Sequence, residues 1–426
     1  MSTKAPPPEA TPTAARTPSQ AWSHPAARPF VSLRHHNYVV YWFAMIGAMW
    51  AMNMQMFVRP WFAFQLEGQA WLIGTTALAH GVPTLFLSLY GGALADRFNN
   101  KVMLIFGYII STLATLAIAV LIQTDIIVWW HLILSAGVGG IGLAMAMGAR
   151  LAIISELVPP GEVLNGVSLS NIANNVARIA SPAIAGFLLS GALGPSGVFY
   201  LMSCMSGLSV VLFFLLPSGR RRSRNTSQSV LKDMEDGFRF VRQHDVVIWL
   251  ILMYMVTATL GMPYLFLLPV LADTAWSATP EQIGLIFSMV GIGSLVGSFS
   301  TASMGSTGRM GLMLIIVCIG FGVGIVALAF SPLYWIALIV AVPLGTCQSA
   351  RLSLNPALVQ LQAPDHIRSR VMGIYEFSNG IFPIGVLLMS ITMVYVDPRM
   401  VMAAAGTLMA IFSFYVLFAK PKVRQL

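Results

Sequence analysis

Glu376 stands in an apolar stretch at about 371–394, and it is the acidic residue that falls inside a predicted membrane span, where a fixed charge is expensive. A carboxyl in that setting is neutral when protonated and charged when it faces water, which is what a proton-coupling group requires. A structural hydrogen bond, or a side chain reaching back to the membrane surface, would account for it as well. Asn171, Asn174, Asn175 and Arg178 are spaced i, i+3, i+4 and i+7, so one helical face carries all four. Such a face offers donors and acceptors to a polar substrate or to a neighbouring helix. Gln55 and Arg59 lie four apart in another apolar stretch and could hold an anionic group. His80 is a second candidate for carrying a proton near neutral pH, or else a neutral histidine bonded between helices.

The elements that must position these groups follow from composition. Of 426 residues, 57% are hydrophobic and 9% charged, against about 25% charged in a soluble domain. The mean hydropathy is +0.78. A water-soluble enzyme, a secreted disulfide scaffold and a disordered chain are excluded, and the lipid bilayer is the solvent. Cys204, Cys318 and Cys347 lie in apolar runs without a CxxC pair and read as small core residues. Residues 1–30 hold Pro6, Pro7, Pro8, Pro12, Pro18, Pro25 and Pro29 and read as a disordered tail. Apolar runs follow at about 38–64, 71–95, 102–122, 128–150, 166–190 and 196–216, then 246–272, 281–303, 311–330, 333–355, 371–394 and 399–419. At roughly 20 residues per crossing, these predict an all-α integral membrane protein of twelve transmembrane helices. The expected domains are a bundle over 31–217, a linker at 218–245, a second bundle over 246–419 and a tail at 420–426.

An even number of spans places both ends on one side. Counting Arg150 and Arg351 as loop residues at the ends of the fourth and tenth spans, 21 of the 24 basic residues fall on the tail side, Arg399 falls opposite, and Arg59 and Arg178 fall inside spans. The positive-inside rule then makes the termini cytoplasmic, and the basic character needs no nucleic acid. Glu67, Asp125, Asp273, Glu281 and Asp397 sit at the opposite turns, near Trp71, Trp129, Trp130 and Trp276, as an aromatic belt would.

The halves look duplicated. Ala149-Arg150-Leu151 and Ala350-Arg351-Leu352 each precede a loop containing proline and a span with an internal proline, Pro182 or Pro383. Asn175 and Glu376 stand seven residues before those prolines, Arg178 and Asn379 four before. Two pseudo-symmetric six-helix bundles are expected, as in secondary transporters. The loop Gly92-Ala93-Leu94-Ala95-Asp96-Arg97-Phe98-Asn99-Asn100-Lys101 resembles the G-x-x-x-D-R-x-x-x-K/R signature of the major facilitator superfamily. Residues 155–186 and 359–385 resemble its branch of enterobactin exporters and drug and metabolite efflux proteins. The resemblance runs from about Arg34 to the C-terminus. Two positions depart from it: Ser181-Pro182 stands where Gly-Pro is frequent, and the second-half loop at Gly308-Arg309 lacks the acidic residue.

The resemblance implies that Gly92, Asp96, Arg97 and Lys101 form a cytoplasmic gate, with Asp96 facing the positive end of a helix, and that the cavity is lined by Gln55, Arg59, Asn171, Asn174, Asn175, Arg178 and Asn379. Ser181, Pro182, Gly186, Gly291, Gly293, Gly297 and Pro383 read as helix-packing positions. The glycines between 137 and 142 fit a dinucleotide fingerprint but lie within a span without a preceding strand, so they too read as packing. No lysine is followed by Ser or Thr, and no HExxH or GxSxG occurs, so ATP hydrolysis and hydrolase chemistry have no visible machinery. The expectation is a monomeric secondary transporter in a bacterial inner membrane. It needs no cofactor or metal, is driven by the proton gradient and exports a drug, siderophore or other metabolite. An importer, a non-transporting membrane sensor or assembly factor on the same fold, and a channel are the alternatives.

Overall fold

The computed structural model describes Phe30–Leu426 apart from residues 98, 192, 218–229 and 304–308, and leaves out the side chains of 88–97, 151 and 230–236. The described residues are helical, without strands. The first half comprises α1 (His36–Glu67), α2 (Trp71–Arg97), α3 (Asn100–Gln123), α4 (Trp129–Leu157), α5 (Val163–Ser190) and α6 (Gly194–Phe214). A linker helix, α7 (Val230–Gln243), follows. The second half comprises α8 (Asp245–Val256), α9 (Tyr264–Trp276), α10 (Pro280–Ser303), α11 (Met310–Ala329), α12 (Tyr334–Gln362), α13 (Arg368–Asn379), α14 (Phe382–Tyr395) and α15 (Pro398–Ala419), with a short α16 (Pro421–Arg424).

Ten helical segments among the described residues are long and apolar enough to cross a bilayer. Beside them, α1 spans 32 residues and α2 spans 27. Asn53, Gln55 and Arg59 dilute the apolarity of α1. Its end is set by Gly68, whose φ of 66° closes the last turn with an N–H to the Phe64 carbonyl, a geometry glycine adopts without steric cost.

Three expectations need correction. The seventh span is broken: α8 gives way to a π-helical turn at Thr257–Gly261 before α9 begins. Pro263 follows that turn, and its missing N–H and fixed φ prevent an unbroken ladder. The eleventh span breaks at Gly380–Ile381, with Pro383 in the first turn of α14. Finally, Arg150 and Arg351 are not loop residues, because α4 continues to Leu157 and α12 to Gln362. The charge asymmetry survives their removal, since the runs at the linker and the two ends carry most of it.

Three apolar cores show how the halves meet. Call the end holding the linker and the C-terminus the tail face and its opposite the far face. One core is shared by both halves and runs from Ala51 through Phe57, Leu72 and Ala185 to Leu268, Phe287 and Met389. A second belongs to the first half alone, around Tyr38, Tyr41, Ile153 and Phe213. The third belongs to the second half alone, around Leu250, Tyr254, Leu314, Leu358 and Tyr375. The shared core lies toward the far face and the two private cores toward the tail face. Among the described residues, the halves therefore share a core on the far side and leave an opening between them on the tail face.

Candidate functional site

Backbone contact closes the far side. The extensive contacts between halves are α5 with α10, α2 with α14 and α1 with α9. Small residues allow the approach. A Cβ on Gly186 would lie 2.4 Å from the Pro280 carbonyl oxygen, one on Gly284 2.4 Å from that of Pro182, and one on Gly291 2.9 Å from the Ile179 side chain. On the other seam Gly81 faces Pro383, and Gly74 faces Leu387 and Ser390. Ser181 is buried beside Pro182 with its hydroxyl unpartnered. Gly293 and Gly297 have a different role, packing α10 onto α12 within the second bundle at Val342 and Thr346. The 137–142 run packs likewise, Gly140 against His80 and Gly142 against Gly107.

The seams end at mid-helix, and the polar groups begin there. Arg178 and Ile179 touch α10 at Gly291. Asn171 lies two turns nearer the tail face on the same side of α5 and is exposed, so it faces the opening. Gly380 abuts Leu85 of α2. Glu376, one turn earlier on the same face of α13, is exposed beside that opening, as is Asn379. Glu376 makes no ion pair among the described residues.

The rest of the α5 stripe is engaged. Asn174 Oδ1 accepts from Asn53 Nδ2 at 3.3 Å, and the same amide donates to Met49 O at 2.8 Å. Asn175 Oδ1 accepts from Arg178 Nη2 at 3.1 Å. Across the seam, α9 carries Tyr264, which is fully buried. The Tyr264 hydroxyl donates to Gln348 Oε1 at 2.7 Å, and Gln348 Nε2 meets Met262 Sδ at 3.4 Å.

Gln55, Arg59 and His80 gather inside the first bundle instead of between the bundles. Gln55 Nε2 donates to Thr115 Oγ1 at 3.1 Å. Arg59 is buried, its Nη2 3.5 Å from Ser135 Oγ and its Nε unpartnered. A cavity of about 50 Å³ is lined by Gln55, His80, Tyr108, Ser111 and Thr115. That is room for a few waters and too little for a metabolite. No cluster of metal-ligating side chains occurs among the described residues.

At the tail face, Lys101 Nζ donates to the carbonyl of Phe214, at 2.9 Å, and to that of Leu216. The ammonium closes the C-terminal end of α6, where a cation meets the negative pole of the helix. The remaining residues of the expected gate, Gly92, Asp96 and Arg97, have side chains outside the described residues. The entry to α1 is tied to α5 by Tyr38 Oη donating to Gly166 O at 2.6 Å and by His35 against Glu162 at 2.9 Å.

Sequence reasoning missed Arg351, Thr257, Tyr254, Tyr264 and Gln348. Arg351 is 1% exposed, donates from Nη1 to Thr257 Oγ1 at 2.7 Å and lies over the rings of Tyr254 and Phe321. The signal was present. Arg351 falls before the end of the predicted tenth span, and an arginine there is an intramembrane charge before it is a topology marker. Cys204, expected in a core, is exposed.

The shape is that of known transporters. The chain superposes on the nucleoside transporter NupG with a TM-score of 0.74, at 14% identity, covering 90% of this chain and 98% of that one. It superposes on the inward open conformation of the xylose transporter XylE from E. coli with a TM-score of 0.66, at 12% identity, covering 90% and 96%. The protein has the fold of a major facilitator transporter. A family model for transmembrane secretion effectors matches residues 27–425, and the chain belongs to that family. It is 25% identical over 336 residues to the staphyloferrin A transporter of Staphylococcus aureus, covering 78% of this chain and 83% of that one. It is likewise 25% identical over 337 residues to the multidrug efflux pump Tap of Mycolicibacterium fortuitum, covering 77% and 82%. With the enterobactin exporter EntS of Shigella flexneri it shares 22% over 317 residues, covering 72% and 73%. The chain is thus a membrane-embedded transporter of small molecules, of the efflux branch, and not an enzyme.

Proposed function

We propose that the protein exports a small molecule across the bacterial inner membrane by alternating access, each cycle being coupled to proton entry. The tail face is cytoplasmic. The observation that carries this reading is the opening between the two private cores, with Asn171, Glu376 and Asn379 exposed in it while glycine seams close the far side. Substrate enters from the cytoplasm or inner leaflet against α5 and α13. Closing the tail face and parting the Gly186 and Gly81 seams releases it outside. Protonation of Glu376 from outside then favours return. The exporter names of its relatives support the direction, and the charge asymmetry supports the orientation.

The test compares metabolites inside and outside cells that express the protein, its Glu376→Gln variant or neither. A compound enriched outside only with the intact protein is expected. Enrichment inside would reverse the direction. Export against a gradient by Glu376→Gln would remove the coupling role from that carboxyl.

A further inference from the structure

Arg59 lies in the far half of α1 and is 8% exposed. Its Nη2 reaches Ser135 Oγ at 3.5 Å, and its Nε meets no acceptor. Removing a guanidinium from water is costly unless a negative charge goes with it. Arg59 forms no ion pair among the described residues. Glu67 and Asp125, the acids at the far turns of this half, are exposed.

Space for that charge lies beside the guanidinium. A Cβ on Gly139 would stand 3.9 Å from Arg59 Nη1 and 4.0 Å from His80 Cδ2, and no other group from a neighbouring helix comes within 4 Å of that point. Ser135 and Gly139 are one turn apart on α4, so one edge of the guanidinium rests on Ser135 and the other turns toward Gly139. Gly139 and His80 both line the cavity of about 50 Å³, together with Gln55, Tyr108, Ser111 and Thr115. His80 is held there by its backbone, whose carbonyl accepts from Thr84 Oγ1 at 2.8 Å and packs on Gly140. The lining offers hydroxyls, an amide and an imidazole, and no carboxylate. Gln55 gives one amide hydrogen to Thr115 and keeps a second, and a neutral imidazole keeps one N–H in either tautomer. Water in the cavity would satisfy these donors and leave the charge of Arg59 unanswered. Room for a few waters is also room for one halide ion.

We propose that the first bundle binds one halide-sized inorganic anion, chloride in the cell, between Arg59 and His80 at the Gly139 wall of this cavity. The ion joins three helices, since α1 brings the guanidinium, α2 the imidazole and α4 the open wall. It also takes Arg59 out of substrate binding, because the site is enclosed in one bundle while the opening lies between the two. None of Asn171, Glu376 and Asn379 belongs to it, so the anion site stands apart from the reading of those residues in export.

The test is thermal unfolding of the purified full-length protein in detergent micelles, in sodium chloride and in sodium gluconate at equal ionic strength. Gluconate is too large for the cavity. A ligand held by the folded state alone raises the transition as its concentration rises. The intact protein is expected to unfold a few degrees higher in chloride than in gluconate. Arg59→Gln should abolish that difference, and so reports any effect of the salts that is not tied to the site. Gly139→Ala adds a methyl that meets nothing nearer than 3.9 Å on a neighbouring helix, so the fold should accept it. The methyl stands where the ion would sit, and most of the difference should be lost. Equal transitions of the intact protein in the two salts overturn the proposal, as does a difference of undiminished size in Arg59→Gln or in Gly139→Ala. If Arg59→Gln does not enter the membrane, the comparison of the intact protein with Gly139→Ala decides by itself.

Discussion

Gly284 of α10 rests on the Pro182 carbonyl of α5, so close that a Cβ there would stand 2.4 Å from the oxygen. The obstacle is backbone on both sides, which a rotamer change cannot relieve. Gly284→Ala should therefore disfavour the state with a closed far side. With Asn171→Cys as reporter in a Cys204→Ser, Cys347→Ser background, labelling from the tail face by a membrane-impermeant maleimide is expected to slow several-fold. An unchanged rate would mean that the seam relaxes locally and does not set the population.

Lys101 serves α6 more visibly than it serves a gate. Lys101→Met removes a charge-assisted bond to the last carbonyls of that helix, at a cost of about 1 kcal/mol for a half-exposed group. The thermal transition of the purified protein should fall by a few degrees, and Lys101→Arg should recover most of it. A variant with unaltered melting and impaired export would point to gating instead.

Tyr264 and Gln348 form a buried pair, and removing one partner leaves the other unsatisfied. Tyr264→Phe should destabilise the protein by about 1–3 kcal/mol, while the double variant with Gln348→Leu should cost less than the two single changes together. Additive losses in thermal unfolding would show that the hydroxyl and the amide act independently.

Arg178 is the cation on the α5 stripe, held by Asn175 at the edge of the opening. If it receives an anionic group of the substrate, Arg178→Gln should raise the KM for that compound about tenfold, equivalent to about 1.4 kcal/mol, with little change in the amount of protein in the membrane. A loss of membrane protein at unchanged KM would assign Arg178 to the seam.

Much of this was readable before any coordinates. Segment length and apolarity mark the spans because a bilayer admits few alternatives, and the i, i+3, i+4, i+7 spacing of Asn171, Asn174, Asn175 and Arg178 put the four on one helical face. What escaped was three-dimensional. Gln55 and Arg59 share a helical face, yet that face turns into the first bundle, toward Thr115 and Ser135. Periodicity gives a face and not its neighbour. Pro263 marks the break after the π turn, but the partner of the Thr257 hydroxyl is Arg351, nearly a hundred residues away, and no local pattern announces it. Counting Arg351 as a loop charge concealed that bond.

That misplaced arginine also bears on how the chain is made. A centrally placed arginine adds about 2.5–3.5 kcal/mol to the insertion of an isolated helix, and α12 already carries Gln348 and Asn355 in its interior. Its predecessor α11 is the most apolar of the described spans, is joined to it by the short segment 330–333, and presents Phe321 to the guanidinium. Biogenesis is therefore favoured when the two helices leave the translocon as a hairpin, with the seventh span already waiting in the lipid to offer Thr257. In this half of the protein, the order of synthesis is also the order in which a buried charge acquires its shelter.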